Sequence, residues 1–193
     1  MSRSWWRFWE RTPLEEVTPA ALALIMTTRL ANRQEPFNLW RSAERTIPPE
    51  ADAFFEMSVW AYQLALLIDA IEERLGKEIA VAVLRQIEIL YQRQEGGRAI
   101  LRFMALVGKG RAGYLEEPLR APNEPQTVAP VELHIALELM RSSGESEEKK
   151  QALLWDLAYF LDCGRIVAEP RFKLLAERLR FDPKSVVGLR TST

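Results

Sequence analysis

The chain has one cysteine, Cys163, and one histidine, His134, in 193 residues. A single cysteine excludes an intrachain disulfide, so the fold must stand on its core. That fits a reducing compartment, and a cytoplasmic location is expected. A single histidine removes most zinc sites, HExxH metalloproteases and two-histidine di-iron bundles. Charge of one sign is also missing: 26 Lys plus Arg stand against 27 Asp plus Glu, for a formal net charge of −1. No global field draws the protein toward nucleic acid or acidic lipid, and an electrostatic partner must be read by a local patch. A long unbroken apolar run is absent too. The longest, residues 53–71, is interrupted by Glu56, Ser58, Gln63 and Asp69 and reads as a core helix, not a membrane span. Behind Arg3 and Arg7 stand Glu10, Arg11, Glu15 and Glu16, so a secretory signal peptide is not expected. There is no fixed-period repeat and no low-complexity tract.

What is present is the composition of a folded domain, with 48% hydrophobic and 27% charged residues. Helical periodicity dominates. Thr18-Pro19 opens an apolar stretch, with Thr18 as N-cap and Pro19 at the first helical position. Residues 32–49 read as a connection, broken by Pro36, Pro48 and Pro49 and plugged into the core by Phe37 and Trp40. Residues 49–75 form a long helix ended at Gly76, and residues 77–94 a second one stopped by Gly96-Gly97. So short a joint makes antiparallel neighbours. Residues 98–107 favour helix, broken by Gly108, Gly110 and Gly113. Residues 118–130 carry four prolines (118, 122, 125 and 130) and read as a linker or exposed loop. Further helices are expected at 131–141, at 145–163 with Gly164 as terminator, and at 165–180, before a short element at 183–190.

The expected fold class is therefore all-α: an irregular bundle of about six to eight helices around a central antiparallel pair. Phe55, Val59, Leu64, Leu67, Ile71, Val83, Ile87 and Leu90 are its expected core. The expected division is a helical bundle core at 1–117, a proline-rich connection at 118–130, and C-terminal helices at 131–193. Those last helices either stand apart or pack on the same core as a single domain.

Half of the six tryptophans fall in the first nine residues, in the run Ser4-Trp5-Trp6-Arg7-Phe8-Trp9. On a helix, Trp5, Trp6, Phe8 and Trp9 share one broad face and Arg3, Arg7, Glu10 and Arg11 the other. Four aromatics at a terminus need a cover. The chain's own bundle, a protein partner recognised through Trp hot spots, or peripheral membrane contact through residues 3–11 would each supply one.

Gly108-Lys109-Gly110-Arg111-Ala112-Gly113 is a literal GxGxxG. Only Tyr114 to Glu117 separate it from Pro118, which leaves no room for the helix a dinucleotide fold requires. Lys109 and Arg111 on a glycine-rich loop remain phosphate-binding candidates. Residues 175–189 resemble the helix-turn-helix pattern of DNA-binding proteins. Leu175 and Ala176 stand at the close-packed position, Leu179 and Phe181 flank the turn, and Val186 and Leu189 supply the inner face of the second helix. From Arg165 onward there are seven basic and three acidic residues. The resemblance implies Lys184, Ser185 and Arg190 as DNA readers. Arg180 departs from it by standing where glycine is customary, and a plain helix corner is the competing reading.

Asp69 and Glu72 share a face near the end of the 49–75 helix and are the metal candidates, for Mg²⁺ with carboxylates from a neighbouring helix. Arg74 and Lys77 are at hand to neutralise them. His134 and Glu138 are spaced for an i,i+4 pair. Cys163, at the expected helix end, has no signature of an activated nucleophile. No catalytic constellation and no cofactor is implied. The expected function is a non-enzymatic helical interaction or regulatory protein acting through protein–protein contacts at Trp5, Trp6, Phe8 and Trp9. The alternatives are a DNA-binding regulator using the C-terminal segment and a metal- or phosphate-ligand-binding enzyme.

Overall fold

The computed structural model describes residues 18–30, 34–43, 47–117, 119–121, 124–128 and 130–178, and its fold is an all-α bundle. Seven α-helices occur among these residues: α1 (Pro19–Ile25), α2 (Gln34–Ser42), α3 (Asp52–Leu75), α4 (Lys77–Gln92), α5 (Gly97–Glu116), α6 (Val131–Arg141) and α7 (Glu147–Arg178). A π-helical turn, Met26–Leu30, extends α1, and a 3₁₀ turn, Pro49–Ala51, leads into α3. Thr18 caps α1, its hydroxyl accepting from the Ala21 N–H at 3.2 Å. At Gly76 the backbone takes φ +91°, a conformation that glycine adopts without penalty, and α4 turns back along α3.

α3 is the central element. It packs on α4, α5 and α7, and its most extensive contact is with α7. Two buried clusters share it. Trp60, Leu64, Leu67 and Ile71 join Leu22 and Met26 and the α4 residues Val83 and Ile87 in the first. Phe55, Val59 and Tyr62 join Trp40 and residues of α6 and α7 in the second. Residues on both sides of the proline-rich stretch thus meet in one apolar cluster. Of the expected core, Phe55, Val59, Leu64, Leu67, Ile71, Val83 and Ile87 are fully buried, and Leu90 is partly buried against them. By length and composition α3 would pass as a membrane span, but over half (56%) of its most apolar 18-residue window is buried inside the bundle.

Four local expectations are corrected. Residues 34–42 are helical and not a connection, because Pro36 falls in the first turn of α2, where no N–H is needed for the helix ladder. Gly108, Gly110 and Gly113 do not break a helix: α5 runs through all three. Gly164 does not end one either, since α7 continues to Arg178 through both Gly164 and Pro170. At Gly110 and Gly164 a bundle contact outweighs the local helix penalty of glycine. A Cβ on Gly110 would lie 2.6 Å from the Ile135 Cα of α6, and one on Gly164 would lie 2.2 Å from Val59 Cγ2 of α3. These glycines are crossing points of helices. Finally, the proline-rich stretch contains an antiparallel ribbon, β1 (Arg120–Ala121) against β2 (Glu124–Val128), with Arg120 opposite Val128.

Candidate functional site

α3, α4 and α5 do not close completely on one another and leave a groove of about 250 Å³. Ile68 of α3, Leu84 of α4, and Leu101 and Met104 of α5 form its apolar lining. Its charged groups are Asp69, Glu88 and Arg111. Asp69 Oδ2 and Arg111 Nη2 are 2.6 Å apart, with both side chains roughly a third exposed or more (41% and 34%). Glu88 stands on the exposed side of α4 and has no ion-pair or hydrogen-bond partner among the described residues.

This groove gathers one residue from each of two separate sequence candidates. Asp69, expected as half a metal site, and Arg111, expected in a phosphate loop, meet as an ion pair. Glu72 lies outside the groove, exposed on α3. No group of three or more metal-ligating side chains occurs among the described residues. Lys109 points elsewhere: its Nζ is 3.0 Å from Glu138 of α6, which Arg141 also contacts at 2.7 Å. The Lys109 hydrogen bond, opposed by burial and assisted by Arg141, lowers the Glu138 pKa from its ordinary value. The segment 108–113 is helical, so its backbone N–H groups are committed to the α5 ladder and no phosphate-cradling loop forms.

His134 does not pair with Glu138. Its Nε2 accepts the Leu119 N–H at 2.9 Å, and Tyr114 stands edge-on to the ring with centroids 5.3 Å apart. That acceptor role requires the neutral ring, and burial lowers the pKa in the same direction. Cys163 sits inside α7, partly buried, and not at a helix end. The N-terminal candidates Trp5, Trp6, Phe8 and Trp9 lie outside the described residues, as do Lys184, Ser185 and Arg190. Of the helix-turn-helix-like segment, Leu175 and Ala176 are described only as backbone in the last turns of α7.

Two features had no counterpart in the sequence candidates. The first is a polar junction of α3, α6 and α7. Tyr62 Oη donates to Glu132 Oε1 at 2.8 Å, and Arg165 Nε donates to the same oxygen at 3.2 Å. Arg165 also reaches Asp162 at 2.5 Å and Glu169 at 3.1 Å. Tyr62 and Glu132 are buried, and burial, reinforced by the Glu132 carboxylate, pushes the Tyr62 hydroxyl far above its usual pKa. Arg165 is held more firmly protonated, chiefly by its bond to Asp162. The signal available was the set of polar residues in the apolar run of α3, among which Gln63 also crosses to α7, donating to the Gly164 carbonyl at 3.3 Å.

The second feature is on the outer face of α7. Trp155, Tyr159 and Ile166 are exposed by 45%, 51% and 51%. At about 100° per residue the three fall within an arc of about 40°, along about 16 Å of helix. The signal was present in their spacing, but ending a helix at Gly164 puts Ile166 on a different element. Compared with family models, curated proteins and solved structures, the chain matches none of them.

Proposed function

We propose that this protein is a non-enzymatic helical interaction protein, acting through protein–protein contacts on its outer helix faces. The observation that supports it is the exposed Trp155, Tyr159 and Ile166 stripe of α7. Tryptophan and tyrosine are over-represented where binding energy concentrates, because each covers a large contact area with few rotatable bonds. A helix that presents them in one row offers a contact surface, while its opposite face, through Leu157, Phe160 and Leu161, is committed to the core. The N-terminal aromatics Trp5, Trp6, Phe8 and Trp9 are the second candidate contact face.

The test compares three full-length forms: wild type, Trp155→Ala with Tyr159→Ala, and Trp5→Ala with Trp9→Ala. Partners captured by wild type are identified by crosslinking and mass spectrometry, purified, and titrated against each form. The α7 variant should lose a partner at least about tenfold in affinity, while unfolding free energy changes by no more than about 0.5 kcal/mol. Undiminished affinity in that variant, or a stability loss of several kcal/mol, would remove α7 as the contact face. Loss confined to the N-terminal variant would transfer the role to Trp5 and Trp9.

A further inference from the structure

The α3–α4–α5 groove has a charge imbalance that goes beyond the reading of the protein as an interaction module. Its lining carries two carboxylates, Asp69 and Glu88, and one guanidinium, Arg111. Arg111 already pairs with Asp69 at 2.6 Å. The residual charge of the groove is therefore one negative unit, and it resides on Glu88, which has no partner among the described residues. Beneath these groups the lining is apolar: Ile68, Leu84, Leu101 and Met104. Met104 adds a flexible, polarisable side chain of the kind that adapts to variable apolar shapes.

We propose that this groove is a binding site for a small amphipathic cation, an aliphatic or single-ring primary amine. Its hydrocarbon body would lie on Ile68, Leu84, Leu101 and Met104, and its ammonium beside Glu88. Size and charge both argue for this class. At about 250 Å³ the space is smaller than the range of about 300–1,000 Å³ that encloses drug-sized ligands, so it suits a short chain or one ring. An anionic head would meet Glu88 and would have to compete with Asp69 for Arg111. An ammonium meets an unpaired carboxylate and leaves the Asp69–Arg111 pair intact. Glu88 is exposed, so its attraction is screened and its contribution to affinity is modest.

The experiment titrates the full chain with hexylamine, hexanol and hexanoate, which share a body and differ in head charge. Binding is followed by the methyl resonances of Ile68, Leu84, Leu101 and Met104. The expected order is amine over alcohol over carboxylate, with the amine favoured over the alcohol by up to about fivefold at low salt. Glu88→Gln should erase that preference while alcohol binding stays. Ala105→Trp, on the exposed lip, should occlude the groove and abolish all three. Hexanoate binding as well as hexylamine overturns the proposal, as do an amine preference that survives Glu88→Gln, saturable shifts at other methyls, and no saturable shift at all.

Discussion

At the scale of single residues, three helical glycines, Gly108 and Gly110 of α5 and Gly164 of α7, differ in what surrounds them. Gly108 faces open space, with nothing within 4 Å of where a Cβ would stand, whereas Gly110 lies against the α6 backbone. Gly108→Ala should therefore raise stability by about 0.5–1 kcal/mol, the ordinary gain of alanine over glycine inside a helix. Gly110→Ala and Gly164→Ala should each cost about 1–3 kcal/mol through overpacking. Gly110 should be the worse, because it meets backbone at 2.6 Å and backbone yields less than the Val59 side chain facing Gly164. Urea unfolding of the three variants checks the order. His134 gives a second prediction. Its folded-state pKa is lowered, so the stability it contributes is present above its unfolded pKa of about 6.5 and is lost as pH falls through the folded value. Unfolding midpoints should drop as pH falls below about 6.5, and His134→Gln, which keeps an acceptor for Leu119, should flatten that slope. An unchanged slope in the variant would assign the dependence to another group.

At the scale of elements, the long helix α7 is held by contacts that its own sequence does not advertise. Pro170 removes the N–H that would bond the Ile166 carbonyl, and Gly164 raises the helix cost further. What offsets these is the seam with α3, where Gly164 allows close approach and accepts a hydrogen bond from Gln63. Arg171 adds an ion pair to Glu35, tying α7 to α2. The Tyr62–Glu132–Arg165 junction fixes α3, α6 and α7 in register. Tyr62→Phe removes one bond to a charged acceptor and should cost about 1.5–3 kcal/mol. Arg165→Met leaves the buried Glu132 carboxylate without its cation and should cost more, tempered by the partial exposure of Arg165 (39%). Tyr62→Phe proving costlier than Arg165→Met would show that the hydroxyl and not the cation sustains the buried carboxylate.

At the scale of the whole molecule, α3 belongs to both buried clusters, with Phe55 and Val59 in one and Leu64 and Leu67 in the other. Neither cluster can expose its surface without disturbing the same helix. Unfolding should therefore be a single cooperative step, with far-UV dichroism and tryptophan fluorescence giving coincident urea transitions. Two separated transitions would mean that the clusters melt independently along α3.

The all-α class, the α3 and α4 helices, the turn at Gly76 and seven of the buried residues on those helices, Phe55, Val59, Leu64, Leu67, Ile71, Val83 and Ile87, were legible in local sequence signals. Periodicity and end signals are local, and those seven positions follow them; residues 58–64 of α3 are buried on every face because α4, α5 and α7 enclose the helix, which the period alone does not give. Tertiary structure alone decided the fate of the interior glycines, the helicity around Pro36, the partners of Asp69, Arg111 and His134, and the continuity that places Ile166 in line with Trp155. Each of these depends on residues distant in the chain. Gly110 reads as a helix breaker until the α6 backbone occupies the space a side chain would need. Asp69 and Arg111 read as parts of two sites until the packing of α3 against α5 brings them to 2.6 Å. Local signals set which segments coil; the energy of close approach between distant segments set which of those coils run on, and what they hold between them.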